Sequence, residues 1–229
     1  MIQQSAHREK IPLSFTLHQW FIASCSFSYL LLCARVVATG DLTYVFLLWN
    51  LFLAFVPYAV SYWLSRNIRV MENKWMLALT LVVWLLFIPN SFYILTDLFH
   101  LRYIRSAPKW FDLLLLLSFA WNGLLFGIVS LRKIEVVLQT VSGRSSSLFM
   151  VFAVMWLNAF GIYIGRFLRY NSWDVITQPF SLFSEMLDML LYPFANKMEW
   201  GMISCYAVFM TLLYITVKKL SENFNQVSK

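Results

Sequence analysis

Asp97 and His100 stand one helical turn apart in an apolar stretch, and Arg166 and Arg169 repeat that spacing further along the chain. A carboxylate beside an imidazole supplies a base and a proton shuttle. The same pair offers two ligands to a divalent cation, which Asp112 or Asp174 would complete. Two arginines one turn apart can clamp phosphate oxygens with planar, permanently charged forks, and Arg35 would be a third donor. Taken as an α-helix at about 100° per residue, Asn90, Tyr93, Asp97 and His100 fall within about 80° of one another. Pro89 removes a backbone donor, so a kink is expected beside Asn90. Asn158, Gly161, Gly165 and Arg169 share a second face, with Arg166 to one side, and the segment runs on through Asn171 to Asp174. Ser24, Ser28 and Arg35 make a third face. The candidate catalytic residues are thus Asp97 and His100. The candidate binding residues are Asn90, Tyr93, Arg35, Arg166, Arg169, Asn171 and Asp174. Each has a plainer reading: Arg35 snorkelling to headgroups, Asp97 in a structural ion pair with Arg166 or Arg169, and Asn50, Asn122 and Asn158 as hydrogen-bond glue between helices.

The elements that must hold these residues follow from composition. Of 229 residues, 60% are hydrophobic and 13% charged, against about 25% charged in soluble chains. No soluble interior of 27.0 kDa hides that much apolar surface, which excludes a soluble enzyme, a disordered tail and a nucleic-acid-binding domain. The net charge of +7 then belongs to membrane-flanking loops rather than to nucleic-acid contacts. A span needs about 20 apolar residues. Six stretches qualify: Leu17–Ala38, Leu42–Leu64, Trp75–Thr96, Trp110–Leu131, Leu148–Leu168 and Gly201–Val217. The predicted fold is an all-α integral membrane protein, a six-transmembrane-helix bundle forming one domain over the whole chain. Val175–Phe194, with Glu185, Asp188 and two prolines, is expected to be an additional outer segment, interfacial or re-entrant. The first apolar run exceeds a usual signal core and is expected to be an uncleaved helix.

With the N-terminus inside, Arg8, Lys10, Arg66, Arg69, Lys74, Arg132, Lys133, Arg144, Lys218, Lys219 and Lys229 fall inside. Arg35, Arg102, Arg105, Lys109, Arg166, Arg169 and Lys197 fall outside. That bias predicts cytoplasmic termini. Trp20, Trp63 and Trp75 at the inner boundary, with Tyr44, Trp110, Trp173 and Trp200 at the outer one, fit aromatic belts, and His18 is expected at the inner interface. Gly123/Gly127 and Gly161/Gly165 predict close crossings of the fourth and fifth spans within the chain. Ser142–Ser147 reads as a flexible inner loop. Cys25, Cys33 and Cys205, in apolar segments without metal spacing, are expected to be buried free thiols.

The stretches Pro89–Leu101 and Gly161–Asp174 resemble the two signature regions of a bacterial multi-pass membrane family, catalogued as domain of unknown function 1361. The first carries P-N-x-x-Y-x-x-T-D-x-x-H-L, long and polar for a membrane segment, and the likeness covers most of the chain from the second span onward. Tyr170 stands where the family often has Trp before Asn-Ser-Trp-Asp. The resemblance implies a bacterial cytoplasmic-membrane protein and no particular activity. No nucleotide loop, nucleophile elbow or zinc-protease motif is present. His18 and His100 lie at opposite boundaries and cannot share a haem. Three functions are compatible with the polar residues: an outward-facing pocket that binds or modifies an anionic, phosphate-bearing or lipid-linked amphiphile; a small-solute transporter or binding subunit; and a membrane scaffold or assembly factor. Membrane lipids are the expected neighbours. Cofactor, metal and protein partners are left open by these residues.

Overall fold

The computed structural model of the chain describes residues 16–102, 107–143, 148–170 and 174–227. Arg8, Lys10, Arg105, Arg144, Asn171, Trp173 and Lys229, all named above, lie outside the described residues, as does most of the predicted inner loop. Helix α1 spans Leu17–Thr39, α2 Phe46–Leu64, α3 Ile68–Glu72, α4 Lys74–Tyr93, α5 Lys109–Ser142, α6 Leu148–Arg166, α7 Asp174–Thr177, α8 Pro179–Leu191 and α9 Lys197–Val227. Short 3-10 turns occupy Thr43–Val45 and Ile94–Arg102. No strand occurs among the described residues.

Local chemistry explains where helices start and stop. Thr16 and Gln19 form a reciprocal capping box at α1, and Gly40 ends that helix with φ 66°, a left-handed turn that glycine adopts at little cost. The Asn73 side chain accepts from the backbone N–H groups of Trp75 and Met76 at the start of α4. Gly143 closes α5 as Gly40 closes α1.

Six helices are long and apolar enough to cross a membrane, so this is a multi-pass membrane protein. Two run well past the predicted ends: α5 continues from Leu131 to Ser142, and α9 covers 31 residues rather than stopping at Val217. A hydropathy window ends where charges begin, whereas the helix continues because Glu135 and Lys218 pair outside that window. In the predicted outer segment, α8 has 13 residues, about 20 Å long and too short to span. Phe180, Phe183, Leu190 and Leu191 are exposed while Leu182 and Met189 pack inward.

Helix α5 lies at the centre, 61% buried over its apolar window against 22% for α1. It packs against α1, α2 and α4, while α4 also meets α2 and α6, and α6 meets α9. Polar links fix the register. Trp84 donates to Ser130 and Ser130 to the Pro57 carbonyl, joining α4, α5 and α2, while Ser91 donates to the Ala54 carbonyl. Lipid covers apolar residues as well as protein does, so the three thiols are half-buried (Cys25, Cys33) or exposed (Cys205), not buried as expected.

Both glycine pairs pack against α4 and the turn that follows it. A Cβ on Gly123 would strike the Ile94 side chain and lie 2.8 Å from the Ser91 carbonyl oxygen; on Gly127 it would lie 2.7 Å from the Phe92 ring. On the other side, a Cβ on Gly161 would lie 2.6 Å from the Pro89 ring and one on Gly165 would lie 3.3 Å from the Tyr93 ring. The α4 segment that carries the polar motif is therefore gripped between two glycine faces. Gly123→Val, which meets backbone, is expected to cost about 1–3 kcal/mol. Gly201→Ala, with open space around it, should leave apparent Tm in detergent unchanged or raised. Equal melting of the two variants would remove the packing role.

Candidate functional site

Between α2, α4, α6 and α8 lies a cavity of about 430 Å³. Its wall is apolar except for Asn50, Asn90, Tyr93 and Tyr170, and Gly161 and Gly165 form part of it because no side chain fills that space. Leu182 and Met186 of α8 close one side. Asn90, half-buried, donates to the Phe87 carbonyl.

At Tyr93 the α-helix gives way to the 3-10 segment Ile94–Arg102. Thr96 donates to the Tyr93 carbonyl at 2.6 Å, satisfying one of the acceptors a helix leaves open at its end. The α-helical angles assumed for Asp97 and His100 therefore do not apply. In a 3-10 turn, residues three apart eclipse, so these two still share a side.

Asp97 is buried. One carboxylate oxygen accepts from Asn50 Nδ2 at 2.8 Å, and the other lies 3.5 Å from Arg166 Nη1. The same Nη1 sits 3.2 Å from His100 Nε2. A guanidinium only donates, so His100 Nε2 must be the acceptor here and its proton sits on Nδ1. Tyr93 and Phe99 flank the guanidinium, with ring centroids 5.9 and 5.7 Å from Cζ, and Phe46 packs on the His100 ring. Among the described residues only Nη1 of Arg166 is engaged in hydrogen bonds, and through a long contact to Asp97. Among the described residues no acceptor engages the Nε/Nη2 edge, which can grip a carboxylate or phosphate with two parallel bonds. Asn50 connects the two parts, lining the cavity and holding Asp97. Its pattern as a lone amide in an apolar helix signalled a hydrogen bond between helices, but not which carboxylate it would meet.

Arg35 is not part of this group. It is buried, donates through Nε to Asp112 at 2.7 Å, lies 3.6 Å from the Asp41 carboxylate and covers the Tyr44 ring at 4.4 Å. The polar face of α1 turns toward α5, where Asn122 donates to Ser28 and to the Ser24 carbonyl. Burying a charge without its partner costs far more than burying the pair, which is why Arg35 neither snorkels nor reaches a cavity. Asp112 is thereby withdrawn from any shared metal site, and no group of three or more His, Cys, Asp or Glu occurs among the described residues. Tyr44, expected at the outer interface, is fully buried beneath Arg35.

Arg166 is the last residue of α6, and Arg169 lies beyond it with φ 62°. The two are not on one helical face; Arg169 is exposed in a left-handed turn that the Tyr170 N–H closes by donating to the Ile164 carbonyl. Asp174 is buried at the start of α7, accepting from Thr177 at 2.8 Å; its neighbour Val175 lines the cavity. Asn171 lies outside the described residues. Of the other amides, Asn158 Nδ2 faces the Met155 and Met210 sulfurs, a weak form of the expected glue.

A family model described as protein of unknown function, DUF1361, matches residues 49–215. The chain belongs to the DUF1361 family. The match begins just before Asn50 and takes in the α4 motif, the cavity and Arg166. Each polar position of that motif now has a physical place: Pro89 on Gly161, Asn90 and Tyr93 in the cavity wall, Thr96 at the helix end, Asp97 and His100 on Arg166. No curated protein and no solved structure matches the chain.

Proposed function

We propose that this cavity binds an amphiphile with an anionic head, its apolar part among α2, α4, α6 and α8 and its head on Arg166, with Arg169 adding charge from the rim. The observation that carries the reading is a guanidinium that, among the described residues, is engaged through one nitrogen only. Asp97 and His100 hold Arg166 by one nitrogen, which orients its two-donor edge without neutralising it through a close pair. Phosphate and carboxylate oxygens match that edge. Asn50, Asn90 and Tyr93 supply neutral hydrogen-bonding groups below it. In this reading Asp97 and His100 position Arg166 before they do any chemistry of their own. The excess of Lys and Arg on the terminal side supports a placement in a bacterial cytoplasmic membrane with both termini cytoplasmic and the site toward the outer leaflet.

Arg166→Lys keeps the charge and can still reach Asp97 but removes the fork. Charge-assisted hydrogen bonds are worth about 1.5–3 kcal/mol, so occupancy by an anionic amphiphile that co-purifies with the parent should fall by roughly 10- to 100-fold. Native mass spectra of both proteins, purified in mild detergent, read this directly. A parent without a bound anionic species, or equal occupancy in the variant, sinks the proposal. Asp97→Asn separates modification from binding: an enzyme would accumulate unprocessed ligand, and a carrier or scaffold would not.

A further inference from the structure

A larger cavity, about 650 Å³, lies away from that site between α1 and α2, with Phe126 of α5 at its floor. It extends along α2 from Leu48 to Tyr62, which at 1.5 Å per residue is about 21 Å. That exceeds one leaflet of hydrocarbon, roughly 15 Å. Its wall is aromatic and aliphatic until its Tyr62 end, where His18 bonds to the Tyr58 hydroxyl at 2.9 Å and stands edge-on to Tyr62.

Two cations gather at that end. Arg66 Cζ lies 4.4 Å and Lys133 Nζ 4.9 Å from the centroid of the same Tyr62 ring. One lies in the turn that follows α2 and the other on α5, and neither has an ion pair among the described residues. The buried carboxylate two residues on, Glu135, is already held by Arg132, Lys218 and Tyr214. The quadrupole of one ring thus holds two like charges together, and the complement they lack is an anion at headgroup depth. An apolar groove that ends beneath a doubly positive site fits one kind of molecule.

We infer that this groove is a binding site for an anionic glycerophospholipid, with an acyl chain along α2 and the phosphate on Arg66 and Lys133. The site is independent of Arg166. It would anchor α1, the most lipid-exposed of the spanning helices, to α2 through a shared lipid.

The test titrates phosphatidylglycerol and phosphatidylcholine into the full chain in a neutral detergent, with retained lipid counted by native mass spectrometry. Phosphatidylglycerol should be held preferentially. A juxtamembrane cation contributes about 1 kcal/mol toward anionic lipid, so Arg66→Gln should weaken retention about fivefold and Arg66→Gln/Lys133→Gln roughly thirtyfold. Ala59→Trp, which fills the groove, should lower retention of both lipids. Exposed Arg69 is the control for general surface attraction. Equal retention in the double variant, or a loss in Arg69→Gln as large as in Arg66→Gln, overturns the site. So does parent-like retention by Ala59→Trp. Apparent Tm values matching the parent exclude misfolding as the cause, and Arg66→Gln, at an exposed side chain, keeps the test open should the double variant fail to fold.

Discussion

Asp112→Ala is expected to destabilise the protein by about 3–5 kcal/mol, among the largest effects of any single polar substitution in the chain. The pair it breaks is almost completely buried, with side-chain exposures of 0% for Arg35 and 1% for Asp112. The Tyr44 ring would remain under the guanidinium, but a ring face does not neutralise a charge sealed from water. Asp41 is 3.6 Å away and 29% exposed, so it compensates weakly. Asp112→Asn keeps an oxygen for the Arg35 Nε–H and should lose less. The double replacement Arg35→Met/Asp112→Leu should recover most of the parent stability, because apolar residues of similar volume remove the desolvation cost along with the pair. Melting in a fixed detergent at one scan rate measures this. An unchanged melting point in Asp112→Ala would mean that Arg35 is not held structurally and would return it to the list of ligand contacts.

Glu135→Ala should be comparably damaging, by about 3–5 kcal/mol, for a related reason at the other end of the bundle. Glu135 on α5 is fully buried and accepts from Arg132 at 2.5 Å, Tyr214 at 2.6 Å and Lys218 at 2.6 Å. Two of those donors belong to α9, which otherwise packs mainly on α6. Removing the carboxylate strands a buried phenol and leaves two cations facing each other where α5 and α9 emerge beyond their apolar windows. Glu135→Gln retains oxygen and nitrogen in the same shape and should cost less, whereas Lys218→Ala leaves Glu135 held by Arg132 and Tyr214 and should cost less still. Amide exchange over residues 218–227 gives a second readout. Faster exchange there in Glu135→Ala is expected, and parent-like exchange with a parent-like melt would show that the cluster does not fasten α9.

These two clusters show where a reading of the sequence stops. Arg35 and Asp112 are 77 positions apart and Glu135 and Lys218 are 83 apart. Asp112 was visible as a polar residue near a span end, but nothing local distinguishes a carboxylate that pairs with Arg35 from one that faces a ligand. Glu135 lies beyond the predicted span, where nothing in the local sequence marks it as buried. The Asp97–Arg166 contact was legible in type, since an acid and a base near the same leaflet are obliged to meet something. Its geometry was not, because α4 turns into a 3-10 segment at Tyr93 and α6 stops at Arg166. Both changes alter the angular positions that a uniform helix assigns. Asn50 was legible as a bond between helices and not as the hinge between a cavity and a carboxylate.

The number of spanning helices, their order, the glycine faces and the family were all settled by the chain alone. Each rests on short-range properties: about 20 apolar residues to cross hydrocarbon, a repeat of four to bring glycines onto one side, and a motif confined to thirteen consecutive positions. Which cation meets which anion, where the cavity lies and which residues face lipid were decided only by the tertiary structure. In a membrane an apolar side chain is nearly as well placed against lipid as against another helix, so hydrophobicity does not mark the inward face of a helix as it does in water. The choice of partner face falls to a few buried polar groups and close-packed glycines, whose energies depend on the register and crossing of helices far apart in sequence.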